Sequence, residues 1–241
     1  MNRRQRGMAL LLVLWAMALL AILLGALVVE VRQQVQLGRW QSEHTRASLA
    51  AEAGLNLAVR ALSEPEPQRR WIADGRLQAL RFDDARLQVS VRSERGKLDL
   101  NAALTTDFAR LVQILGATPA QARSMADALE QRRNGNQPPL RALDELRDLA
   151  GMNATIYQAL LAHVTVWSGQ ERPDPAFATA ALRRALALPK ATALGADAGP
   201  MLSIRSQAQL PDGITAVIDS TVLLSPMENG ARPFRIVRYN Q

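Results

Sequence analysis

Side chains that could carry chemistry are few and widely spaced in this chain of 241 residues. The two histidines, His44 and His163, are far apart in the sequence, and neither has a cluster of carboxylates beside it. Two acidic groups, Asp83-Asp84 and Asp144-Glu145-Asp148, are interpreted as surface groups rather than metal ligands. The sequence contains no G-x-S-x-G, no H-E-x-x-H and no glycine-rich phosphate loop. We therefore expect no catalytic residues and no enzyme activity.

Composition narrows the possible classes further. The chain has no cysteine, which excludes a disulfide framework, a thiolate metal site and a cysteine nucleophile. Its formal net charge is +7, and Lys97 and Lys190 are the only lysines. The arginines are scattered along the sequence and never form a dense run. This charge pattern favours a solvated basic surface over nucleic-acid binding.

An uncharged stretch near the N-terminus has the length of a transmembrane helix. Residues 8–29 carry no charged side chain, and as a helix they would span roughly 33 Å, enough for a hydrocarbon core of about 30 Å. Arg3, Arg4 and Arg6 precede the stretch, so its N-terminal end is expected in the cytoplasm. The stretch is longer than the apolar part of a cleavable signal, and no Ala-x-Ala site ends it. We expect one transmembrane helix, with the rest of the chain exported.

Helical character continues beyond this stretch. Apolar residues recur at the three- and four-residue spacing of one helix face at Ala50, Ala53, Leu57 and Ala61. Glu64-Pro65-Glu66-Pro67 ends the pattern, because proline disfavours helix in the residue before it. The sequence therefore predicts one helix, with residues 8–29 in the membrane and residues 30–62 as its continuation outside.

The string Arg3-Arg4-Gln5-Arg6-Gly7-Met8, followed by the apolar run, resembles the leader peptide of type IV pilins and pseudopilins. This resemblance implies that residues 1–7 are a leader, that prepilin peptidase cuts after Gly7, and that Met8 becomes the methylated N-terminus. Most of that family carry glutamate at the fifth mature position, where this chain has Leu12. A glutamate buried in lipid needs a partner, which in these filaments is the N-terminal ammonium of the neighbouring subunit. Leucine there is typical of the K class of type II secretion pseudopilins (the GspK family), which lies at the filament tip.

A second resemblance to the K class follows a predicted strand. Residues 85–92 alternate apolar and polar side chains, which predicts a half-buried strand with Leu87, Val89 and Val91 facing inward. The next hexapeptide is similar to the Gly-Lys-Ile-Asn-Leu-Asn signature of the K class, and its residues are Gly96, Lys97, Leu98, Asp99, Leu100 and Asn101. The resemblance implies that a helical domain is inserted into the pilin sheet at this point, in a short variant of the class.

Helices are predicted within residues 103–167, at 107–115, 119–133, 140–150 and 154–163. Gly116 ends the first, and Thr118-Pro119-Ala120-Gln121 begins the second with an N-cap, a proline at N1 and a capping box. Asn153 is the expected N-cap of the last, and a strand-like stretch follows at 164–167. The stretch from Leu143 to Leu160 is similar to the helical module of the K class.

Strand patterns return in the C-terminal third. A helix is predicted at 176–188, and β-branched runs at 201–209, 214–224 and 234–239 are separated by turns at 211–213 and 229–230. The expected fold is α+β and pilin-like, a long N-terminal helix packed on an antiparallel sheet. Residues 63–102 would form the first part of the sheet, 103–167 an inserted all-helical domain of SAM-like or helix-hairpin-helix-like type, and 168–241 a linker helix and the last strands.

No cofactor is expected. Longer members of the K class bind calcium through an acidic loop of the helical insert, whereas residues 131–139 here contain no carboxylate. Calcium takes six to eight oxygen ligands, several of them usually anionic. We therefore predict no calcium at this loop.

The resemblance implies a minor pseudopilin at the tip of the type II secretion pseudopilus, where it initiates or caps assembly. The implied partners are the minor pseudopilins of the I and J classes, the major pseudopilin, prepilin peptidase and secreted cargo. The implied location is the inner membrane, with one span and a periplasmic C-terminal domain.

Two alternatives stay open. Minor type IV pilins also carry a leader and an Ala-Ala-Glu-Ala stretch like residues 50–53. A membrane-tethered DNA receptor is the other, because residues 111–129 and 146–161 resemble helix-hairpin-helix units. Their hairpins at Gly116 and Gly151 lack the second glycine that brings the backbone close to a phosphate, so binding to nucleic acid is not favoured.

Overall fold

The computed structural model describes residues 3–135, 137–225 and 234–240, and most side chains up to residue 37 lie outside the description. The chain divides into two compact units, Met1–Ala47 and Ser48–Gln241. The helix α1, Arg3–Leu62, begins in the first unit and ends in the second. Its end at Leu62 confirms the predicted stop before the Glu-Pro repeat.

In the first unit the backbone is helical from Arg3 onward. The predicted transmembrane segment, residues 8–29, falls mostly on residues whose side chains are outside the described part. Within the described residues, no helix has the length and apolarity required to cross a membrane. The side chains of that segment that are described are exposed, and the large apolar ones are Leu14, Trp15, Met17, Leu19, Leu20 and Leu23.

The second unit is built on an antiparallel sheet, which confirms that part of the expected fold. Its strands are β1 (Asp74–Phe82), β2 (Ala85–Ser93), β5 (Met201–Gln209), β6 (Thr215–Leu224) and β7 (Phe234–Asn240), in the order β1-β2-β5-β6-β7. All but β1 were predicted, β2 from alternation and the last three from their β-branched runs. The predicted turn at 211–213 is present, with Gly213 at φ 90°, whereas the predicted turn at 229–230 lies outside the described residues.

One face of the sheet packs on the last part of α1. Leu87, Val89 and Val91 of β2 are buried as predicted. The buried helix face differs from the predicted one, because Ala53, Leu57 and Ala61 are only half-buried. The buried positions are Ala50, Ala51, Gly54, Leu55, Ala58 and Val59. Gly54 lies on this buried face, where the helix comes close to the sheet.

Gly54 has no room for a side chain. A Cβ there would lie 2.2 Å from Ser206 Oγ and 3.2 Å from Val89 Cγ2. Although alanine favours helix, we expect Gly54→Ala to lower the free energy of unfolding by about 1–3 kcal/mol through overpacking. Ser206 is buried, and its hydroxyl has no hydrogen-bond partner among the described residues, so adding Ser206→Ala should restore much of the loss. Urea denaturation of both variants tests this; an unchanged loss in the double variant would contradict it.

The chain between β2 and β5 contains the helices that follow α1 and belongs to the same compact unit as the sheet. Its longer elements are α2 (Thr105–Ile114), α3 (Pro119–Asn134), α4 (Ala154–Leu160) and α5 (Ala180–Ala185). Two short strands, β3 (Leu98–Asp99) and β4 (Val164–Thr165), pair in parallel. The predicted capping box of Thr118 and Gln121 is present at the start of α3. These elements, here called the helical region, enclose a continuous apolar core.

Three predicted helices were too long. Residues 140–150 form only a 3₁₀ helix, Leu143–Asp148, because the buried residues recur strictly every third position, at Leu140, Leu143, Leu146 and Leu149. That spacing keeps one face in a 3₁₀ helix, with three residues per turn, and drifts in an α-helix. The helix predicted at 154–163 ends at Leu160 because the chain turns into β4, and the helix predicted at 176–188 is shortened to α5, whose N-cap is Thr179.

Candidate functional site

The predicted signature, residues 96–101, lies where the chain leaves β2 for the helical region. A 3₁₀ turn, Glu94–Gly96, separates β2 from β3. Ser93 caps this turn, since its Oγ accepts a hydrogen bond from Arg95 N at 3.1 Å and donates one to Ala198 O at 2.6 Å. The turn is therefore tied to the loop that leads into β5. We call residues 93–101 the junction.

A buried ion pair lies at the centre of the junction. Lys97 Nζ donates to Glu94 Oε1 at 2.5 Å and to Ser203 Oγ at 2.7 Å, and Ser203 Oγ also donates to Glu94 Oε1. The Glu94 side chain is fully buried and that of Lys97 is 9% exposed. Glu94 Oε2 has no hydrogen-bond partner among the described residues. The pair therefore joins the junction to β5 through Ser203.

Asp99 ties the junction to the segment that follows β4. Its Oδ2 accepts hydrogen bonds from Gly169 N at 2.7 Å and Ser168 Oγ at 3.1 Å, and its Oδ1 accepts one from Asn101 N at 2.8 Å. The side chain is 1% exposed. A buried carboxylate with three donors is satisfied by the protein itself. Asp99 therefore holds the backbone at Asn101 and Gly169 in place and is not interpreted as a ligand-binding group.

Asn101 joins the junction to the start of the 3₁₀ helix. Its Nδ2 donates to Leu140 O at 2.9 Å, and its Oδ1 accepts from Leu140 N at 2.9 Å. Both backbone groups of Leu140 are thus satisfied by one amide side chain. Aspartate could accept from the N–H but could not donate to the carbonyl, which explains why an amide is needed at this position.

Arg133, from the last turn of α3, closes the junction on its other side. Its guanidinium donates to Leu100 O through Nε at 2.8 Å and through Nη2, and to Ala103 O through Nη1 at 2.5 Å. Burial lowers the pKa of Arg133, while the nearby carboxylates of Asp99 and Glu130 act in the opposite direction. The side chain remains a cation that holds backbone carbonyls in place.

The junction has the properties of a structural clamp. Its polar groups bond mainly to one another, to the Ser203 hydroxyl of β5, and to backbone just before the 3₁₀ helix and after β4. No nucleophile with an adjacent base is presented to a cavity by these residues. The arrangement can hold the helical region to the sheet, and this is the function that its geometry supports.

The other candidate groups are placed separately. His44 is exposed on α1 and stacks on Trp40 with a centroid distance of 5.3 Å, whereas His163 Nδ1 lies 2.8 Å from Thr179 Oγ1. Asp83-Asp84 forms the exposed turn between β1 and β2. The carboxylate of Glu145 accepts a hydrogen bond from Arg141 N at 2.8 Å. This bond, the hydrogen bond from Ala142 N and the positive charge of Arg132 lower the pKa of Glu145.

Among the described residues, no group of three or more histidine, aspartate or glutamate side chains is arranged to hold a metal ion. The loop 131–139 includes residue 136, which lies outside the description. The absence of calcium from this loop stays a prediction.

The environment of His163 predicts a pH effect on stability. Burial, together with the positive charges of Arg92 and Lys97, lowers the pKa of His163 in the folded chain. The unfolded chain therefore takes up a proton below about pH 6.5 that the folded chain resists. We expect stability to fall as the pH drops below about 6.5, and His163→Gln to reduce this fall.

Urea denaturation between about pH 5 and pH 7.5 would measure the effect. Glu145 and Asp197 also have lowered pKa values, but their contributions are lost only below the normal carboxyl range, so the two windows are separate. His44→Gln, which removes the other histidine, is the control variant. An unchanged pH dependence in His163→Gln would contradict the assignment.

The predicted processing residues lie in the first unit. The backbone of Gly7, Met8 and Leu12 is part of α1. Their side chains are outside the described part of the chain. The cleavage after Gly7, the methylation of Met8 and the role of Leu12 therefore stay predictions.

Comparison with known proteins gives one relative and one structural neighbour. No family model matches the chain. The chain is 30% identical over 208 residues to the type II secretion system protein K of Klebsiella pneumoniae, which covers 68% of this chain and 63% of that protein. The chain thus matches less than two thirds of the length of this relative.

The structural neighbour belongs to the crystal structure of the GspK-GspI-GspJ complex from the enterotoxigenic Escherichia coli Type 2 Secretion System. The TM-score is 0.60 at 14% sequence identity, and the match covers 84% of this chain and 98% of the other. This likeness concerns the fold alone, a mixture of helix and antiparallel sheet. In sequence the chain is similar to protein K of type II secretion systems, and in fold it is similar to a chain of the GspK-GspI-GspJ complex, so it is GspK-like.

Proposed function

We propose that the chain is a minor pseudopilin at the tip of a type II secretion pseudopilus, where it initiates or caps assembly and so takes part in protein secretion across the outer membrane. The observation that carries this proposal is the sequence similarity to protein K. The fold shared with a member of the GspK-GspI-GspJ complex supports it. The junction supports a structural role as well, because its polar groups hold segments of the chain together.

The proposed partners are minor pseudopilins of the I and J classes, and the major pseudopilin below them. We place the contact on exposed parts of residues 31–62 of α1 and on the adjacent sheet. In α1, Trp40 and Leu49 are each 59% exposed, and in β1 Leu77 is 67% exposed. Exposed tryptophan is a common anchor of protein–protein interfaces.

The N-terminal part is proposed to be processed and held in the inner membrane. Residues 1–7 would be removed after Gly7 by prepilin peptidase, Met8 would be methylated, and residues 8–29 would span the membrane with the second unit in the periplasm. The uncharged sequence supports this, as does the exposure of the described large apolar side chains in the segment. With Leu12 in place of glutamate, the subunit could not pair with the N-terminal ammonium of a neighbouring subunit. A subunit at the tip would have no such neighbour above it.

The helical region is proposed to be a domain of SAM-like or helix-hairpin-helix-like type inserted into the pilin sheet. It would cover the tip and contact secreted cargo. Its connections to the sheet run through the junction, so the junction would fix the orientation of this domain on the filament. No cofactor and no enzyme activity are part of the proposal.

The central experiment is co-purification of the full chain with pseudopilins of the I and J classes, expressed together in membranes. We expect a stable complex of the three proteins at micromolar concentration, weakened tenfold or more by Trp40→Ala, since loss of an interface anchor costs about 2 kcal/mol or more. Leu104→Ala is the control, because Leu104 is 64% exposed at the start of α2 in the helical region, outside the proposed surface. Three separate proteins would contradict the proposal.

Mass spectrometry of the N-terminus tests the processing separately. The mature protein from its native membrane is expected to begin with a methylated Met8. A chain that begins at Met1, or one cut after residue 29, would contradict the proposed processing whatever the co-purification shows.

A further inference from the structure

A cleft opens between the helical region and the face of the sheet that points away from α1. We call it the sheet–helix cleft. Its volume is about 380 Å³, at the small end of the range of ligand-binding cavities, about 300–1,000 Å³. Four positively charged side chains line it, from β2, the junction, β5 and β7: Arg92, Lys97, Arg205 and Arg238.

The rest of the lining combines hydroxyl groups and the carboxylate of Asp219 with an apolar wall. Ser90, Ser203 and Thr221 come from the sheet, whereas Leu143, Leu161 and Trp167 come from the helical region. Such a lining offers hydrogen bonds on one side and apolar contact on the other. It suits an extended peptide better than a small, fully hydrated ion.

The positive charges of the cleft are incompletely neutralised. Lys97 pairs with Glu94 at 2.5 Å, Arg205 with Asp219 at 2.8 Å, and Arg238 lies 3.8 Å from Asp144. Arg92 makes no ion pair with any residue of the described ranges.

The carboxylate of Asp74, opposite Arg92 in the sheet, is engaged by Arg76 at 3.0 Å. The guanidinium of Arg92 lies against the Cα of Gly75. One cation of the cleft is thus left without a counterion among the described residues.

His163 lies close enough to two of these charges to be affected by them. Burial is the largest cause of the lowered pKa of His163, and the positive charges of Arg92 and Lys97 are the next. A lowered histidine pKa of this origin means that positive potential reaches the ring, which the partial neutralisation of Lys97 by Glu94 has not abolished. An anion placed beside Arg92 would therefore raise the pKa of His163.

We propose that the sheet–helix cleft binds an acidic peptide segment of a protein partner, with a carboxylate of that segment paired to Arg92. Guanidinium and carboxylate match in a two-point hydrogen-bonded geometry. The apolar wall accommodates aliphatic side chains that alternate with the acidic ones. The cleft lies wholly within the second unit. The inference goes beyond the proposed function, because it does not depend on the role in the pseudopilus.

The test uses the full chain in nanodiscs of zwitterionic lipid and the peptide acetyl-Leu-Glu-Leu-Glu-amide. Calorimetric titration should show saturable binding that weakens with added salt and is lost with the glutamine counterpart, acetyl-Leu-Gln-Leu-Gln-amide. Arg92→Gln should weaken binding at least tenfold. Arg86→Gln, an exposed arginine on the same strand and face but outside the cleft, should leave the affinity unchanged.

A second measurement locates the peptide. In the chain labelled with ¹³C-histidine, the NMR titration of His163 should shift to higher pH when the acidic peptide is bound, and Arg92→Gln should abolish that shift. Absence of binding at millimolar peptide, equal binding of the glutamine peptide, or equal loss in Arg86→Gln would overturn the proposal. Inorganic phosphate that competes with the peptide at equal concentration would also overturn it, since the site would then be a general anion site.

Discussion

Lys97→Met is expected to lower the free energy of unfolding by about 3–5 kcal/mol, because it removes one partner of a buried ion pair. Glu94, the other partner, is fully buried. Its Oε2 already lacks a hydrogen-bond partner among the described residues. Without Lys97 the carboxylate would keep only the hydrogen bond from Ser203. Methionine has a similar length and adds no charge, so the loss would report the ion pair rather than a cavity.

Removal of the other partner, Glu94, should lower the free energy of unfolding by a smaller amount. In Glu94→Gln the amide can still bond to Ser203, and Lys97 lines the sheet–helix cleft, so its ammonium can reach water through the cleft. The double variant, with Glu94→Gln and Lys97→Met, should recover most of the stability lost in Lys97→Met, because no buried charge is left unpaired. Chemical denaturation of the four chains forms a double-mutant cycle. A loss below about 1 kcal/mol in Lys97→Met, or additive losses in the double variant, would contradict this account.

Strands with one buried face could be predicted from the sequence because burial imposes the alternation. In β2 every second side chain from Ala85 to Ser93 is buried, and the same period appears in β5. The cap of α3 was predictable for a similar reason, since the capping box is a local arrangement of Thr118 and Gln121.

The strand β1 was missed because its side chains carry no such period. It lies at the edge of the described sheet, and none of its residues is fully buried. Leu77 and Phe82 are exposed. A strand whose faces both meet solvent has no reason to alternate, so only its pairing with β2 reveals it.

The residues of the junction could be selected from the sequence, but their partners could not. Asn101 bonds to a residue 39 positions away, Asp99 to one 70 positions away and Lys97 to one 106 positions away. Contacts over such separations depend on how the helices and strands pack. The cleft was missed for the same reason, because its arginines come from different strands and no local pattern joins them.

These partners also explain what the signature residues do. Lys97 faces β5, Asp99 the segment after β4, and Asn101 the start of the 3₁₀ helix. Successive residues of one short segment thus hold different parts of the second unit. Each polar side chain of the signature is satisfied by such a contact. We therefore interpret the signature as a rigid connection between the sheet and the helical region.

Gly96→Ala is the second variant with a large expected effect. A Cβ at this position would lie 2.4 Å from the carbonyl oxygen of Phe177 and 2.5 Å from its carbonyl carbon. Both atoms belong to the backbone, so no side-chain rotation can relieve the clash. We expect the free energy of unfolding to fall by at least the 1–3 kcal/mol or so that is typical of overpacking. Gly38→Ala is the control, because nothing lies within 4 Å of a Cβ there and alanine favours helix.

The position of the damage distinguishes this explanation from a general loss of stability. The amide of Asp174 donates to Arg95 O at 2.7 Å, beside Gly96, and a displaced Phe177 would break this bond first. Hydrogen exchange should therefore accelerate at Asp174 and Phe177 in Gly96→Ala more than in β5 or β6. Uniform acceleration throughout the second unit would contradict a local clash, whereas a selective increase would mean that the signature glycine is required so that residues 174–177 can pack directly on the junction.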